Sequence, residues 1–132
     1  MRSSSILLAL FAALLVACSS DARSAADADF AATLAQVTIP EEHRDGEALF
    51  NANCSTCHGQ RALGTDRGPP LVHIIYEPSH HADPAFWIAA ERGVRAHHWN
   101  FGDMPPVPSV DRAQVAEIVG YIRFLQRQVG IR

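Results

Sequence analysis

The chain has 132 residues, 48% apolar and 19% charged, with a formal net charge of −3. That supplies one modest core and one domain, and it excludes a multidomain enzyme. Eleven basic residues, all arginine and nowhere densely clustered, leave no footprint for a nucleic acid partner. The first element in chain order is Arg2, three serines and an apolar run from Ile6 to Ala17 that ends at Cys18. It reads as a secretory signal, too short for the roughly 20 residues of a membrane-spanning helix.

Leu15-Val16-Ala17-Cys18 resembles the lipobox of bacterial lipoproteins. The resemblance implies removal of a signal peptide over 1–17 and lipid attachment at Cys18. It also implies an exported protein held at the periplasmic side of a membrane, which two or more acyl chains do stably. Ser19, where Asp would retain such a protein, resembles the pattern of transfer to the outer membrane. An ordinary signal peptide with an incidental cysteine is the alternative. The stretch 18–39 is Ser, Ala and Asp with isolated apolar residues, a composition expected to form a flexible linker.

The folded domain is expected over 40–132. Thr38-Ile39-Pro40-Glu41 has capping-box spacing, and Gly46, Leu49 and Phe50 follow at helical spacing, which predicts a first helix to Asn53. Asp83-Pro84 gives the N-cap and first position of a middle helix, with Phe86, Ala89 and Ala90 inward and Gly93 at its end. Asp111 and Gln114 form a capping pair before an apolar stripe of Val115, Ile118, Val119, Ile122 and Leu125, closed by Gly130. The stretches Gly59 to Pro70 and His97 to Ser109 are rich in Gly and Pro and predict irregular loops. No strand alternation and no repeat occurs, so the fold class is all-α, a small helical bundle. Three short helices and two long loops are under-supplied with core side chains, which points to a non-protein group in the middle.

Cys54-Ser55-Thr56-Cys57-His58 is the attachment pattern of c-type haem: two thiols add across the haem vinyls and the adjacent histidine reaches the iron. Two other chemistries use a C-x-x-C pair. A dithiol redox site expects a strand-to-helix context that is missing here. A zinc site needs two further ligands, for which His73, His80, His81, His97 and His98 are candidates.

From Pro40 onward the chain resembles a class I monohaem cytochrome c. That implies the cytochrome c fold, a helical bundle around one covalently attached haem c. Gly46 and Phe50 match the glycine and aromatic of the family's N-terminal helix, and Tyr121 the aromatic of its C-terminal helix. Gly120, costly inside a helix by about 1 kcal/mol, is then expected to admit a close helix crossing. Gly68-Pro69-Pro70-Leu71 resembles the proximal loop, which implies that the Pro69 carbonyl accepts the second ring N–H of His58. Met1 departs with the signal, so Met104, in a loop stiffened by Pro105 and Pro106, is the candidate sixth iron ligand.

With His58 and Met104 on the iron no position stays open, which implies electron transfer rather than catalysis. Phe50, Leu71, Phe86, Trp99 and Phe101 are expected to exclude solvent. Partners are then redox proteins, donor and acceptor, bound transiently over a small surface. Two alternatives stand beside this: a haem enzyme or enzyme subunit with a displaceable Met104, and a structural zinc module. Histidine departs from the family pattern: His43, His73 and the pairs His80/His81 and His97/His98 accompany His58. The pairs flank the middle helix and could meet on one haem edge to hold copper or zinc or to relay protons; solvated rings, or hydrogen bonds to haem propionates, are the simpler account.

Overall fold

Residues 28–132 are described in a computed structural model of the chain. The signal segment, its cleavage point and Cys18 lie outside them. Residues 28–35 are helical and form the described part of α1. Within the expected flexible linker over 18–39, the described residues 28–35 are instead helical: four alanines favour helix, and Phe30 and Leu34 stand one turn apart on one face, while residues 18–27 lie outside the described residues.

The second unit, Gln36–Arg132, is helical, with one isolated antiparallel bridge, Val94 to Met104, among the described residues. Its first α-helix, α2 (Arg44–Asn53), starts later than the spacing suggested. Pro40 forces the residue before it toward extended backbone and is itself extended, at φ −62° and ψ 157°. Thr38 therefore makes no capping box, and a 3-10 turn over Glu41–His43 leads into α2 with no side-chain cap.

After the one-turn helix α3 (Ser55–His58), α4 covers Asp83–Arg92 with Pro84 in its first turn. Its N-cap is Ala82 rather than Asp83. The Asp83 carboxylate instead accepts from Arg123 Nε at 2.8 Å, which removes it from the helix end. Gly93, at φ 76°, ends α4.

The longest helix, α5 (Arg112–Gln128), starts as its sequence says. Asp111 Oδ1 accepts the Gln114 N–H at 2.8 Å, and Gln114 Oε1 accepts the Asp111 N–H at 2.9 Å. The whole stripe from Val115 to Leu125 is buried. Buried with it are Tyr121, Arg123 and Gln126, the last two polar residues in the same face. None of the described helices is long and apolar enough to cross a membrane.

The main packing is α2 against α5. A Cβ on Gly46 would stand 2.2 Å from the Glu117 carbonyl oxygen, so the two backbones touch only because residue 46 has no side chain. Phe50 and Tyr121 pack beside this contact with ring centroids 5.7 Å apart. Gly120 does not have the role expected of it. A Cβ there would meet nothing nearer than His43 Nδ1 at 3.7 Å, an ordinary contact, because Gly120 faces the turn before α2 rather than α2 itself.

Arg123 and Gln126 fasten the segment between α3 and α4 to α5. Arg123 Nη1–H donates to the Tyr76 carbonyl at 2.5 Å, Arg123 Nη2–H to the His81 carbonyl at 2.5 Å, and Gln126 Nε2–H to the Leu71 carbonyl at 2.8 Å. One guanidinium fork thus satisfies carbonyls that a loop with a single 3-10 turn, Ile74–Tyr76, leaves open.

Candidate functional site

α2 and α3 deliver the motif. The Cys54 N–H still donates to the Phe50 carbonyl at 2.8 Å, and the His58 N–H to the Cys54 carbonyl at 2.9 Å, so the two thiols lie within one turn and His58 closes it. Gly59, at φ 73°, ends the turn in a conformation that favours glycine; a Cβ there would stand 2.2 Å from the Gly64 carbonyl oxygen.

The loop then folds back on α3. The Gly64 N–H donates to the His58 carbonyl at 2.6 Å, and Thr65 Oγ1–H to the Cys57 carbonyl at 2.6 Å. A Cβ on Gly68 would crowd the Cys57 carbonyl oxygen at 2.9 Å. This closure carries the Pro69 carbonyl to 2.9 Å from His58 Nδ1. A carbonyl only accepts, so Nδ1 carries the proton, and in the neutral ring Nε2 keeps its lone pair. Burial holds the His58 pKa below the usual histidine value, against the opposing effect of the Pro69 bond. The site thus presents a neutral, oriented imidazole.

Burial, and then the neighbouring Cys57, push the Cys54 thiol up to about 11. Dithiol exchange uses the thiolate, which this environment opposes. Among the described residues, the group of three or more His, Cys, Asp or Glu close enough to share an ion is His80, His81 and His98, without either thiol. The histidines proposed to complete a zinc site with Cys54 and Cys57 do not gather around them.

Cys54 and His58 open on an apolar cavity of about 520 Å³, within the size range of cofactor sites. Leu71, Phe86 and Ala89, with Val115 and Ile118 of α5, form much of its wall. Trp99 and Phe101 complete it from the loop after α4, Phe101 at the rim with 40% of its surface exposed. Phe50, expected in this wall, packs on Tyr121 instead, and Cys57 stands beside the cavity rather than in its lining.

Met104 also lines the cavity. Its backbone exchanges two hydrogen bonds with Val94, each 2.9 Å, and the Val107 N–H donates to the Ala90 carbonyl at 2.8 Å, so the loop bearing Met104 is pinned at both ends. Gly93 permits the first pin: a Cβ there would stand 2.4 Å from the Met104 carbonyl oxygen. Cys54, His58, Pro69 and Met104 therefore meet around one apolar space, and the chemistry of this donor set fits a haem.

The cavity also holds polar groups suited to haem carboxylates. Trp99 Nε1 is buried with no hydrogen bond of good geometry. Its contact with the Tyr76 hydroxyl lowers the Tyr76 pKa only against the larger upward effect of burial. Arg95 lines the same space. Tyr121, outside the cavity wall, has a buried hydroxyl without a partner; burial, then the Glu47 charge, push its pKa up to about 12, with Arg61 opposing.

Three features escaped sequence reasoning. Arg61 and Ala62 both have positive φ, 54° and 59°, although neither is glycine. The Ala62 carbonyl accepts from Leu71 and Val72, and Arg61 Nη1–H donates to the Val37 carbonyl at 2.9 Å. No turn-forming residue type marks this bend. Arg123 and Gln126 were missed as well, although their spacing from Val119 and Ile122 puts them on the apolar face of α5.

A family model described as cytochrome c matches residues 43–126. Searches of curated proteins and of solved structures found no match.

Proposed function

From its membership of the cytochrome c family, whose fold it has and whose members carry covalently attached haem c, we propose that this chain is a one-electron carrier with histidine and methionine as its two iron ligands. When bound, the haem supplies an iron that takes up and gives back one electron. Cys54 and Cys57 hold it by thioether bonds. His58 supplies a neutral ring nitrogen, kept in orientation by the Pro69 carbonyl, and Met104 supplies the thioether from its pinned loop. Leu71, Phe86 and Trp99 exclude water, which together with thioether ligation raises the reduction potential. Arg95 and the Trp99 indole N–H are donors that line the cavity and suit the haem carboxylates.

The observation that carries this reading is the shared cavity: the oriented imidazole and the one methionine among the described residues line the same apolar space. Class I character, a single haem and transient redox partners go with it. Export, a periplasmic location and a lipid anchor at Cys18 rest on the N-terminal sequence. Cys18→Ser is expected to remove acyl mass and membrane association.

The ligand set is tested on protein made with haem-attachment machinery. Haem is expected to survive acid-acetone extraction, and the ferric protein to show the near-infrared sulfur-to-iron band. Met104→Ala should lose that band while keeping its haem. A wild type without the band, or a variant that retains it, contradicts the assignment.

A further inference from the structure

Four histidines gather beside the cavity, His81, His97 and His98 in its lining and His80 against them, and the proposed electron-carrier role uses none of them. We propose that His80, His81 and His98 form a binding site for a single divalent transition-metal ion, taken most tightly as Cu(II), separate from the haem iron. The ring centroids of these three form a nearly equilateral triangle, 4.8 Å from His80 to His81 and 5.2 Å from His98 to each. One ligand nitrogen from each lies within 4.8 Å of the other two. The Nε2 atoms of His80 and His98 are 3.3 Å apart. Two neighbouring imidazole nitrogens on one ion, each about 2.0 Å from it, stand about 3.3 Å apart in a tetrahedral and about 2.8 Å apart in the square-planar arrangement of Cu(II), so the observed pair needs only a small turn of the exposed rings to reach the copper spacing. One edge of a coordination polyhedron is therefore nearly in place, and His80 and His98 are exposed enough for their rings to turn toward the third nitrogen.

The third ring is prepared for ligation. His81 Nδ1 lies 2.7 Å from the Ile75 carbonyl, so Nδ1 carries the proton and Nε2 is left as the free donor. Metal-binding histidines are fixed in this way by a carbonyl or carboxylate behind the ring. The His81 backbone is itself held, its carbonyl accepting from Arg123 Nη2–H. His97 repeats the arrangement, Nδ1 against the Arg95 carbonyl at 2.8 Å, and its ring lies 4.3 Å from that of His98, within reach as a fourth donor. No carboxylate belongs to the group. Imidazole donors without carboxylate or carbonyl select copper, zinc or nickel over magnesium or calcium, and copper(II) heads the affinity order of the divalent series.

The chain places this cluster by two separate routes: the turn before α4 carries His80 and His81, and the loop after α4 carries His97 and His98. Because His81 and His98 also line the cavity, the alternative use of these rings is to bind haem carboxylates.

The experiment is a calorimetric titration of the haem-loaded full chain with Cu(II) at neutral pH, with electron paramagnetic resonance of the 1:1 complex. Wild type and His43→Ala, whose ring packs on Phe124 away from the cluster, are expected to bind one Cu(II) equally, with nitrogen hyperfine structure. His98→Gln should weaken binding at least about tenfold, and His80→Ala/His98→Ala at least about a hundredfold, with haem retained. Unchanged Cu(II) affinity in the double variant overturns the site. So does a wild-type spectrum without nitrogen coupling. Unchanged affinity together with a shifted reduction potential of the covalently held haem overturns the site and assigns these rings to the haem carboxylates instead.

Discussion

Tyr121 illustrates how one atom sets a pH response. Its ring is fully buried against Phe50, and its hydroxyl has no partner. The phenol ordinarily ionises near 10 and here is pushed up to about 12, so the folded state keeps a proton that the unfolded state loses. Stability should therefore be full below pH 10 and fall as pH climbs from about 10 to about 12, with Tyr76, also raised by burial, acting in the same sense. Tyr121→Phe removes an unsatisfied buried hydroxyl and should hold or raise stability at pH 7 by up to about 1 kcal/mol, with a shallower alkaline decline. Denaturant unfolding at pH 7, 9 and 11 measures both; a Phe variant markedly weaker at pH 7 would show that the hydroxyl is bonded. At this scale the haem-attachment motif and Met104 could be singled out from the sequence, because each sits in a short pattern with its own chemistry, whereas Pro69 was legible only through the resemblance of its loop to the family's proximal loop. Arg123 could not, since a single arginine in an apolar stripe reads as a solvated side chain until its four acceptors are brought together by the fold.

At the scale of elements, the contact of α2 with α5 separates two glycines that look alike in sequence. Gly46→Ala would drive a Cβ into the Glu117 backbone and should cost at least about 3 kcal/mol, at or above the upper end of ordinary overpacking. Gly120→Ala has room and replaces a poor helix former, so it should gain up to about 1 kcal/mol. Thermal unfolding of the two variants gives the comparison, and equal losses would refute this account of the helix contact. The segment between α3 and α4 depends on Arg123 in the same way. Arg123→Met orphans the His81 carbonyl, leaves the Tyr76 carbonyl with only the Gln126 Nε2–H at 3.1 Å, and should cost roughly 2–4 kcal/mol. Arg123→Lys should recover little, because an ammonium cannot span the acceptors that the planar fork reaches. Hydrogen exchange should quicken over residues 76–81 in both variants, and a Lys variant as stable as wild type would count against the fork. α5 was legible because its cap and its stripe agree, whereas the start of α2 was not, because Pro40 overrode a local capping pattern.

On the scale of the whole molecule, a chain too short in core side chains encloses an apolar cavity instead of a filled centre, as its composition and loop lengths implied. The family match supplies the haem, and the cavity gathers the groups that would hold it. The convergence of the two histidine pairs was visible only as a possibility, since their meeting depends on how far α4 carries the chain between them. What distinguishes an electron carrier from a haem enzyme on this scaffold is whether the iron is closed on both sides. The most direct measurement is the optical spectrum of the reduced, haem-loaded protein before and after addition of carbon monoxide at neutral pH. With His58 and Met104 both bound, the spectrum should not change, whereas Met104→Ala should bind the gas. Ready carbon monoxide binding by the wild type would contradict the closed site and the electron-carrier reading built on it.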